Sequence, residues 1–266
     1  MKKLASVLLA SVIVVAFCGG AHAQKRLDEI TKRGSLRVGM TGEQPPFTME
    51  KKDGTLMGYE VDLAKLLAQS MNLKLETVRM PFNELIDAVQ KGKVDVVMSG
   101  MTITMERNMK VAFIGPYILS GKSIVTKMES LAKVHNPEDL DQSDLRISSL
   151  KGSTSEQFVK ELLPKATSLP ADNYDKAIAS LLSGEANVMV ADYPICKLTA
   201  LKNPDANLVV LDEPMTIEPI GMALPADDPL LLNFMENYFS ALNMAGLLTK
   251  LEKYWFEEGT WLSDMK

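Results

Sequence analysis

The sequence predicts an α/β protein with two lobes, each built around its own mostly parallel sheet. Strand and helix patterns alternate at short intervals in the first half of the chain, which is typical of βαβ units. A helix–Gly–strand unit is then repeated, because residues 174–192 align without a gap on residues 82–100 and place Gly184 on Gly92. Two such units about 90 residues apart indicate two lobes.

The spacing of apolar residues places the individual elements. Period-two alternation or short apolar runs predict strands, and apolar residues at helical spacing predict helices. In the first lobe we predict strands over 35–41, 73–79 and 94–98, a loop over 42–46, and helices over 59–72 and 82–91. In the second lobe we predict strands over 145–150 and 187–191, the former followed by a helix containing Phe158. Gly92 is expected to end its helix in the left-handed conformation.

The first 23 residues are typical of a cleaved export signal. Lys2 and Lys3 precede an apolar stretch over 4–17, and Ala21-His22-Ala23 fits a signal-peptidase site. A lipid anchor on Cys18 is the alternative, although the preceding Phe17 is bulkier than a lipidation site favours. Cleavage of 23 of the 266 residues would leave 243, enough for two domains.

The composition excludes several classes of function. The net charge of −5 would fall to −7 on loss of the two signal lysines, and an acidic chain is poorly suited to nucleic acid. Cys196 would be the only cysteine left, and His135 the only histidine. We therefore expect no disulfide, no Ser-His-Asp catalysis, no histidine-rich metal site and no cofactor.

Residues 99–107 form the most informative segment of the first lobe. A strand ends here and small or hydroxyl residues follow, and Thr104 could cap a short helix that holds Arg107 near free backbone N–H groups. A guanidinium in that position is suited to two-point binding of a carboxylate. An ordinary surface turn with a solvated arginine is the alternative.

Two segments of the second lobe could complete such a site. Residues 151–155 join a strand to a helix, where N-terminal N–H groups can bind an anion or simply be capped. Asp192 ends the second repeat and could either cap the helix that follows or bind a cationic group. Open α/β sheets bind ligands beyond the carboxyl ends of their strands, so we expect residues 99–102 to face Asp192.

With these residues in view, the chain resembles family 3 of the bacterial extracellular solute-binding proteins, which serve ABC transporters for polar amino acids. The resemblance covers nearly the whole mature chain. Its motifs include Pro45-Pro46-Phe47, Gly58-Tyr59-Glu60-Val61-Asp62, Gly92-Lys93-Val94-Asp95, residues 98–104 with Arg107, Gly152-Ser153-Thr154, Ala191-Asp192 and Tyr254-Trp255-Phe256.

The resemblance implies the two-lobed periplasmic-binding-protein fold with a hinge of two crossing strands. It implies a first lobe over 27–120 and 219–266, a second over 123–214, and a hinge near 120–123 and 214–219. A free amino acid is expected in the cleft, with the membrane permease of an ABC transporter as partner. We expect a periplasmic monomer that does not bind nucleic acid and is not an enzyme.

The same resemblance assigns roles to individual residues. Arg107 matches the arginine that pairs with the ligand carboxylate, helped by Thr102 and Thr154. Asp192 matches the residue that holds the ligand ammonium, with a carbonyl of Ser99 or Gly100 as second partner. Tyr59 matches an aromatic wall of the cleft. Gln44 departs from the family, because a second aromatic often occupies this position.

A periplasmic cyclohexadienyl dehydratase, which acts on arogenate or prephenate, is the alternative on the same fold. Such enzymes are similar to this chain over 27–41 and 112–122, but they place an acid shortly after the residue that matches Asp192. Here residues 193–196 contain no acid. We also expect no second carboxylate paired with Asp192.

Overall fold

The computed structural model describes residues 25–134 and 136–266. The predicted signal segment 1–23, with Cys18, and the single mature histidine His135 lie outside the described residues. Within the described part, no helix is long and apolar enough to cross a membrane.

The strands are numbered in chain order. They are β1 Ser35–Met40, β2 Glu43–Gln44, β3 Thr48–Glu50, β4 Leu56–Met57, β5 Lys74–Arg79, β6 Val96–Val97, β7 Ala112–Ser120, β8 Lys122–Thr126, β9 Arg146–Leu150, β10 Thr167–Ala171, β11 Val188–Asp192, β12 Val209–Val210 and β13 Glu218–Leu224.

The α-helices are α1 Lys25–Arg33, α2 Tyr59–Ser70, α3 Leu85–Gln90, α4 Met105–Asn108, α5 Thr154–Leu162, α6 Tyr174–Ser183, α7 Tyr193–Lys202, α8 Pro229–Met244 and α9 Leu247–Glu252. Short 3-10 helices lie at Phe82–Glu84, Glu129–Lys133, Pro137–Leu140, Pro204–Ala206 and Thr260–Asp264, and a π-helix at Lys253–Glu258.

The two sheets confirm the predicted two-lobed α/β fold. The first has the order β5-β1-β6-β13-β7, and the second β10-β9-β11-β8-β12. Three neighbouring strands in each sheet are parallel, and one strand, β13 in the first sheet and β8 in the second, runs antiparallel to both of its neighbours. The sheets are therefore more mixed than the sequence predicts, because β8 and β13, the strands that follow the two crossing segments, run against the other strands of their sheets.

The repeated helix–Gly–strand unit is confirmed in both lobes. In the first copy a 3-10 turn leads into α3, Gly92 has φ of 67°, and β6 follows. In the second copy α6 ends at Gly184 with φ of 82°, and β11 follows. A residue with a side chain is disfavoured at these positive φ values, which explains why both turns use glycine.

The predicted loop over 42–46 is wrong in one respect. Part of it forms β2, which pairs with β3 and through β3 with β4 in a small antiparallel sheet. A two-residue strand has too few positions to show an alternating pattern, so periodicity did not reveal it. This small sheet lies at the edge of the cleft and carries Gln44.

Two segments carry the chain between the sheets. The first crossing is at Gly121, between β7 and β8, and the return lies between β12 and β13. A Cβ atom added to Gly121 would lie 2.1 Å from the carbonyl oxygen of Thr216, so the two crossing segments pack with no room for a side chain.

Candidate functional site

Arg107 lies in the cleft between the lobes, where its local structure is the predicted one. Thr104 caps α4 and accepts a hydrogen bond from the Arg107 N–H at 3.2 Å. The guanidinium donates to the carbonyl oxygen of Thr102 in the first lobe at 2.9 Å and to that of Gly152 in the second at 3.2 Å. It also lies over the ring of Phe82, 5.5 Å from its centroid.

The charge of Arg107 is poorly compensated by the protein. Only 8% of the residue is exposed, and burial lowers the pKa of Arg107, opposed by the more distant Asp192 and Glu218. Among the described residues no carboxylate lies within 4 Å of the guanidinium. Two of its five N–H groups are used by the two carbonyls, which leaves three for a ligand. A carboxylate placed there would relieve the cost of the buried charge.

Thr102 and Thr154 lie on opposite sides of the cleft and meet there. Their hydroxyl oxygens are 3.3 Å apart, and Thr154 also donates to Oε2 of Glu218 at 3.3 Å. Thr154 begins α5, whose N-terminus is capped by Ser153. The predicted strand–Gly–helix junction therefore brings a hydroxyl and a helix N-terminus close to Arg107.

Asp192 also lies in the cleft, but the interpretation of its side chain as a helix cap is wrong. Asp192 occupies the N-cap position of α7, yet its side chain makes no capping hydrogen bond. Its Oδ1 instead accepts from Nζ of Lys122 at 2.7 Å, and both side chains are almost fully buried. Lys122 was missed by the sequence analysis, because only the antiparallel pairing of β8 with β11 places it opposite Asp192.

The expectation that no second carboxylate accompanies Asp192 is also wrong. Oε2 of Glu218, at the start of β13, lies 3.7 Å from Nζ of the same Lys122. We call Lys122, Asp192 and Glu218 the ionic triad. It joins the last residue of β11 to the first residues of β8 and β13, the strands that follow the two crossing segments.

Glu60 is a further buried acid that the sequence analysis assigned no role in binding. It is fully buried, and both of its carboxylate oxygens accept from the Gly100 N–H, at 2.8 and 2.9 Å. The Tyr117 hydroxyl donates to Oε1. Burial raises the pKa of Glu60 to about 7; the bonds from Tyr117 and Gly100 lower it and the charge of Asp192 raises it.

Ser99, Gly100 and Gln44 form a polar network at the end of β6. Oε1 of Gln44 accepts from the hydroxyls of Ser99 and of Thr41, the latter at 3.1 Å. Gly100 has φ of 58°, and a Cβ atom added to it would lie 3.3 Å from Nε2 of Gln44. Through these bonds Gln44 fixes the position of Ser99 at the end of β6. Its amide nitrogen has no protein acceptor among the described residues.

The structure does not place Tyr59 in the wall of the cleft. Tyr59 is fully buried in the core of the first lobe, where its ring packs edge-on against Phe256 with centroids 5.6 Å apart. Its hydroxyl donates to the carbonyl oxygen of Tyr117 at 3.0 Å. Tyr59 and Glu60 are successive helical residues and point in different directions, so Glu60, rather than Tyr59, reaches the strand end.

Two cavities lie next to one another between the lobes, and Glu43, Arg79 and Tyr174 line both of them. One of about 250 Å³ is lined by Gln44 and Phe82 together with Glu43, Asp172 and Tyr174. A larger one of about 440 Å³ continues outward past Glu43 and Asp175. Burial, followed by the charge of Asp175, raises the pKa of Glu43. No cluster of three or more metal-binding side chains occurs in the described ranges 25–134 and 136–266.

These features define a class of protein: a two-lobed α/β protein with a charged binding cleft between its lobes. Residues 36–258 match the family described as bacterial extracellular solute-binding proteins, family 3, and the chain belongs to that family. The resemblance identified from the sequence motifs is thereby confirmed.

Individual relatives include both binders and an enzyme. The cyclohexadienyl dehydratase of Pseudomonas aeruginosa is 27% identical, with 94% of this chain and 92% of the enzyme covered. A solved ancestral amino-acid-binding protein, described as a precursor of cyclohexadienyl dehydratase, is 41% identical with a TM-score of 0.79, covering 87% of this chain and 99% of its own. A binding component of an ABC transporter from Wolinella succinogenes, solved with lysine, is 33% identical with a TM-score of 0.82 and the same coverage. Most of the other curated relatives are amino-acid-binding proteins.

Proposed function

We propose that this protein is the amino-acid-binding receptor of an ABC importer and captures a free amino acid between its two lobes. The observation that carries the proposal is the buried guanidinium of Arg107, which has unused donors and no carboxylate partner among the described residues. An amino acid supplies the missing carboxylate. In this proposal the amide and hydroxyl of Thr102 and the N–H of Thr154 assist Arg107, and Asp192 holds the ligand ammonium.

The acids around the smaller cavity, the one of about 250 Å³, favour a ligand with a cationic side chain. Glu43 and Asp172 line this cavity together with Arg79, and Asp175 lines the adjoining one. Arg79 is already paired with Glu50 at 2.8 Å and Asp172 with Lys176 at 2.6 Å, which leaves Glu43 as the acid that a ligand can pair with. Glu43 has no ion pair within 4 Å among the described residues, so a cation in the cavity would gain an unshared carboxylate. The ancestral relative is also described as a cationic amino acid solute-binding protein, and another neighbour contains lysine. We propose lysine or arginine as the ligand class.

A thermal-shift screen of the purified mature protein tests this proposal. Lysine, arginine, histidine and glutamine are compared with glycine and acetate at matched concentration. A ligand at a hundredfold excess over its dissociation constant stabilises the folded state by about 2.7 kcal/mol. The proposal requires a shift with lysine or arginine that exceeds the shift with the other compounds. Absence of a shift with every amino acid would contradict it.

Ligand binding is expected to close the cleft. Arg107 donates to Gly152 across the cleft, and the two threonine hydroxyls also meet across it. A ligand bridging Arg107 and Asp192 would add contacts that only the closed arrangement satisfies, and so shift the population towards it. Small-angle scattering should show a smaller radius of gyration when the bound amino acid is added. An identical profile at saturation would contradict closure.

Glu60 supports a second candidate function, a cyclohexadienyl dehydratase. Such an enzyme removes a ring hydroxyl as water together with carbon dioxide, and the hydroxyl needs a proton donor. A buried carboxyl with a pKa of about 7 can hold a proton near neutral pH, as a general acid must. The relative from Pseudomonas aeruginosa carries this activity in its name. Residues 193–196 contain no acid, so Glu60 and Glu43, whose pKa is also raised by burial, are the two candidate donors.

Turnover separates the two functions. We expect the purified protein to leave arogenate and prephenate unchanged beyond their spontaneous rates, because Glu60 is fully buried and already bonded to Gly100 and Tyr117. The assay follows phenylalanine from arogenate and phenylpyruvate from prephenate, with Glu60→Gln as the matched variant. Turnover that disappears in Glu60→Gln or in Glu43→Gln would establish the enzyme instead.

The remaining assignments follow from the receptor function. We propose export through cleavage after Ala23, a periplasmic monomer, and a membrane permease as partner. The proposed lobes are 27–120 with 219–266, and 123–214. Proposed hinge segments at 120–123 and 214–219 coincide with the places where the chain passes between the two sheets.

A further inference from the structure

Lys122 occupies the position that the proposed function assigns to the ligand ammonium. Its side chain is 2% exposed, and its Nζ lies 2.7 Å from Oδ1 of Asp192. No other described residue donates to the Asp192 carboxylate. Lys122 therefore already places one ammonium group at Asp192. A ligand ammonium that arrives there would place two cations on one carboxylate.

Glu218 offers Lys122 a second partner within reach. Its Oε2 lies 3.7 Å from Nζ of Lys122, so a shift of about an ångström would bring the two groups to ordinary ion-pair distance. Glu218 is held in place by Thr216, which donates to Oε1 at 3.1 Å, and by Thr154, which donates to Oε2. The lysine side chain is long and flexible enough to move while its backbone stays fixed in β8.

Each charge of the cleft has its own partner only if this exchange takes place. Arg107 and Lys122 supply two cations, and Asp192 and Glu218 supply two carboxylates. The α-carboxylate and α-ammonium of an amino acid add one charge of each sign, while the side-chain cation lies in the cavity beside Glu43. Every charge is then paired when the ligand carboxylate meets Arg107, the ligand ammonium meets Asp192, and Lys122 meets Glu218. Buried charges left without partners are strongly disfavoured.

We propose that Lys122 is a built-in competitor for the ligand ammonium, which neutralises Asp192 in the empty cleft and transfers to Glu218 when an amino acid binds. This inference rests on the proposed receptor function. Lys122 is thus a positioning residue that lowers affinity for ligands carrying an α-ammonium. Ligands without an α-ammonium do not compete with Lys122 for Asp192, so the Lys122–Asp192 ion pair stays in place when they bind.

Calorimetric titration of four variants tests the exchange. Wild type, Lys122→Met, Glu218→Gln and the double variant are titrated with arginine and lysine, and with their analogues that lack the α-amino group, 5-guanidinopentanoate and 6-aminohexanoate. Lys122→Met should bind the amino acids at least tenfold more tightly and the analogues within about threefold of wild type. Glu218→Gln should weaken amino-acid binding in wild type and have a much smaller effect beside Lys122→Met, because residues that act on one another give non-additive effects.

The controls keep the outcomes distinct. Lys160→Met removes an exposed lysine that pairs with Glu156 in the second lobe, and should change no affinity. If Lys122→Met does not fold, the Glu218→Gln variant tests the inference by itself. The inference then requires Glu218→Gln to weaken binding of the amino acids but not of the analogues. This inference alone would be overturned in two cases in which the wild type binds amino acids. In the first, a folded Lys122→Met variant shows no gain in amino-acid affinity. In the second, Glu218→Gln changes the affinity for the amino acids and for the analogues equally. No amino-acid binding by wild type or by Lys122→Met would overturn the receptor function with it.

Discussion

Replacing Arg107 with alanine is expected to reduce amino-acid affinity by roughly one and a half to three and a half decades, or about 2–5 kcal/mol. The guanidinium is buried, and in the proposed complex it forms a desolvated ion pair with the ligand carboxylate. The variant also loses the hydrogen bond to Gly152 across the cleft, so the closed arrangement is stabilised less even apart from the lost ligand contact. Calorimetric titration with arginine and lysine measures the effect.

Two further variants make the Arg107 result specific. Arg107→Lys keeps the charge but not the planar, two-point geometry, so its affinity should lie between wild type and Arg107→Ala. Arg26→Ala removes a surface arginine that pairs with Asp227 at 3.1 Å, and should bind normally. Near-native affinity in a folded Arg107→Ala variant would contradict the carboxylate assignment.

The position of Arg107 was predictable because local chemistry determines it. A capping threonine three residues before the arginine and a strand end before that threonine are both readable from adjacent residues. The two glycine turns were predictable for the same reason, since a positive φ strongly favours glycine. The repeat then indicated which strand ends lie near one another, and Arg107 and Asp192 do lie in the same cleft.

The partners of these residues were not predictable from local sequence. Lys122 and Asp192 are 70 positions apart, and the pairing register of two antiparallel strands brings them together. No alternation or capping pattern contains that register. The lysine follows a glycine at a lobe crossing, where an ordinary solvated lysine is the natural interpretation. Such pairs become visible only when the sheet order is known.

The assignment of Tyr59 failed for a different reason. An aromatic residue at the start of a helix can face either the core or the cleft, and the two directions are separated by one residue, about 100° of helical rotation. Tyr59 faces the core, and Glu60 therefore carries the polar contact with Gly100. Motif resemblance located the helix correctly, but it did not determine which neighbour reaches the site.

Replacing Glu60 with glutamine is expected to change how stability depends on pH. Burial raises the pKa of Glu60 from its ordinary value of 4.5 to about 7 in the folded protein. Between these values the folded state binds more protons than the unfolded state at this site. The contribution of Glu60 is therefore fully present below about pH 4.5 and is lost as the pH rises through about 7. The loss amounts to roughly 3 kcal/mol, taking 1.36 kcal/mol for each unit of pKa.

Denaturant titrations at pH 5, 6, 7 and 8 measure this difference. Glutamine has nearly the same shape as glutamate, and its carbonyl oxygen can still accept from the Gly100 N–H and the Tyr117 hydroxyl. Glu60→Gln should therefore fold, and its free energy of unfolding should rise relative to wild type as the pH increases from 5 to 8. Glu236→Gln, at an exposed position on α8, is the matched control and should follow wild type throughout. Parallel curves for wild type and Glu60→Gln would mean that Glu60 does not take up its proton in this range, which would also remove the case for Glu60 as a proton donor.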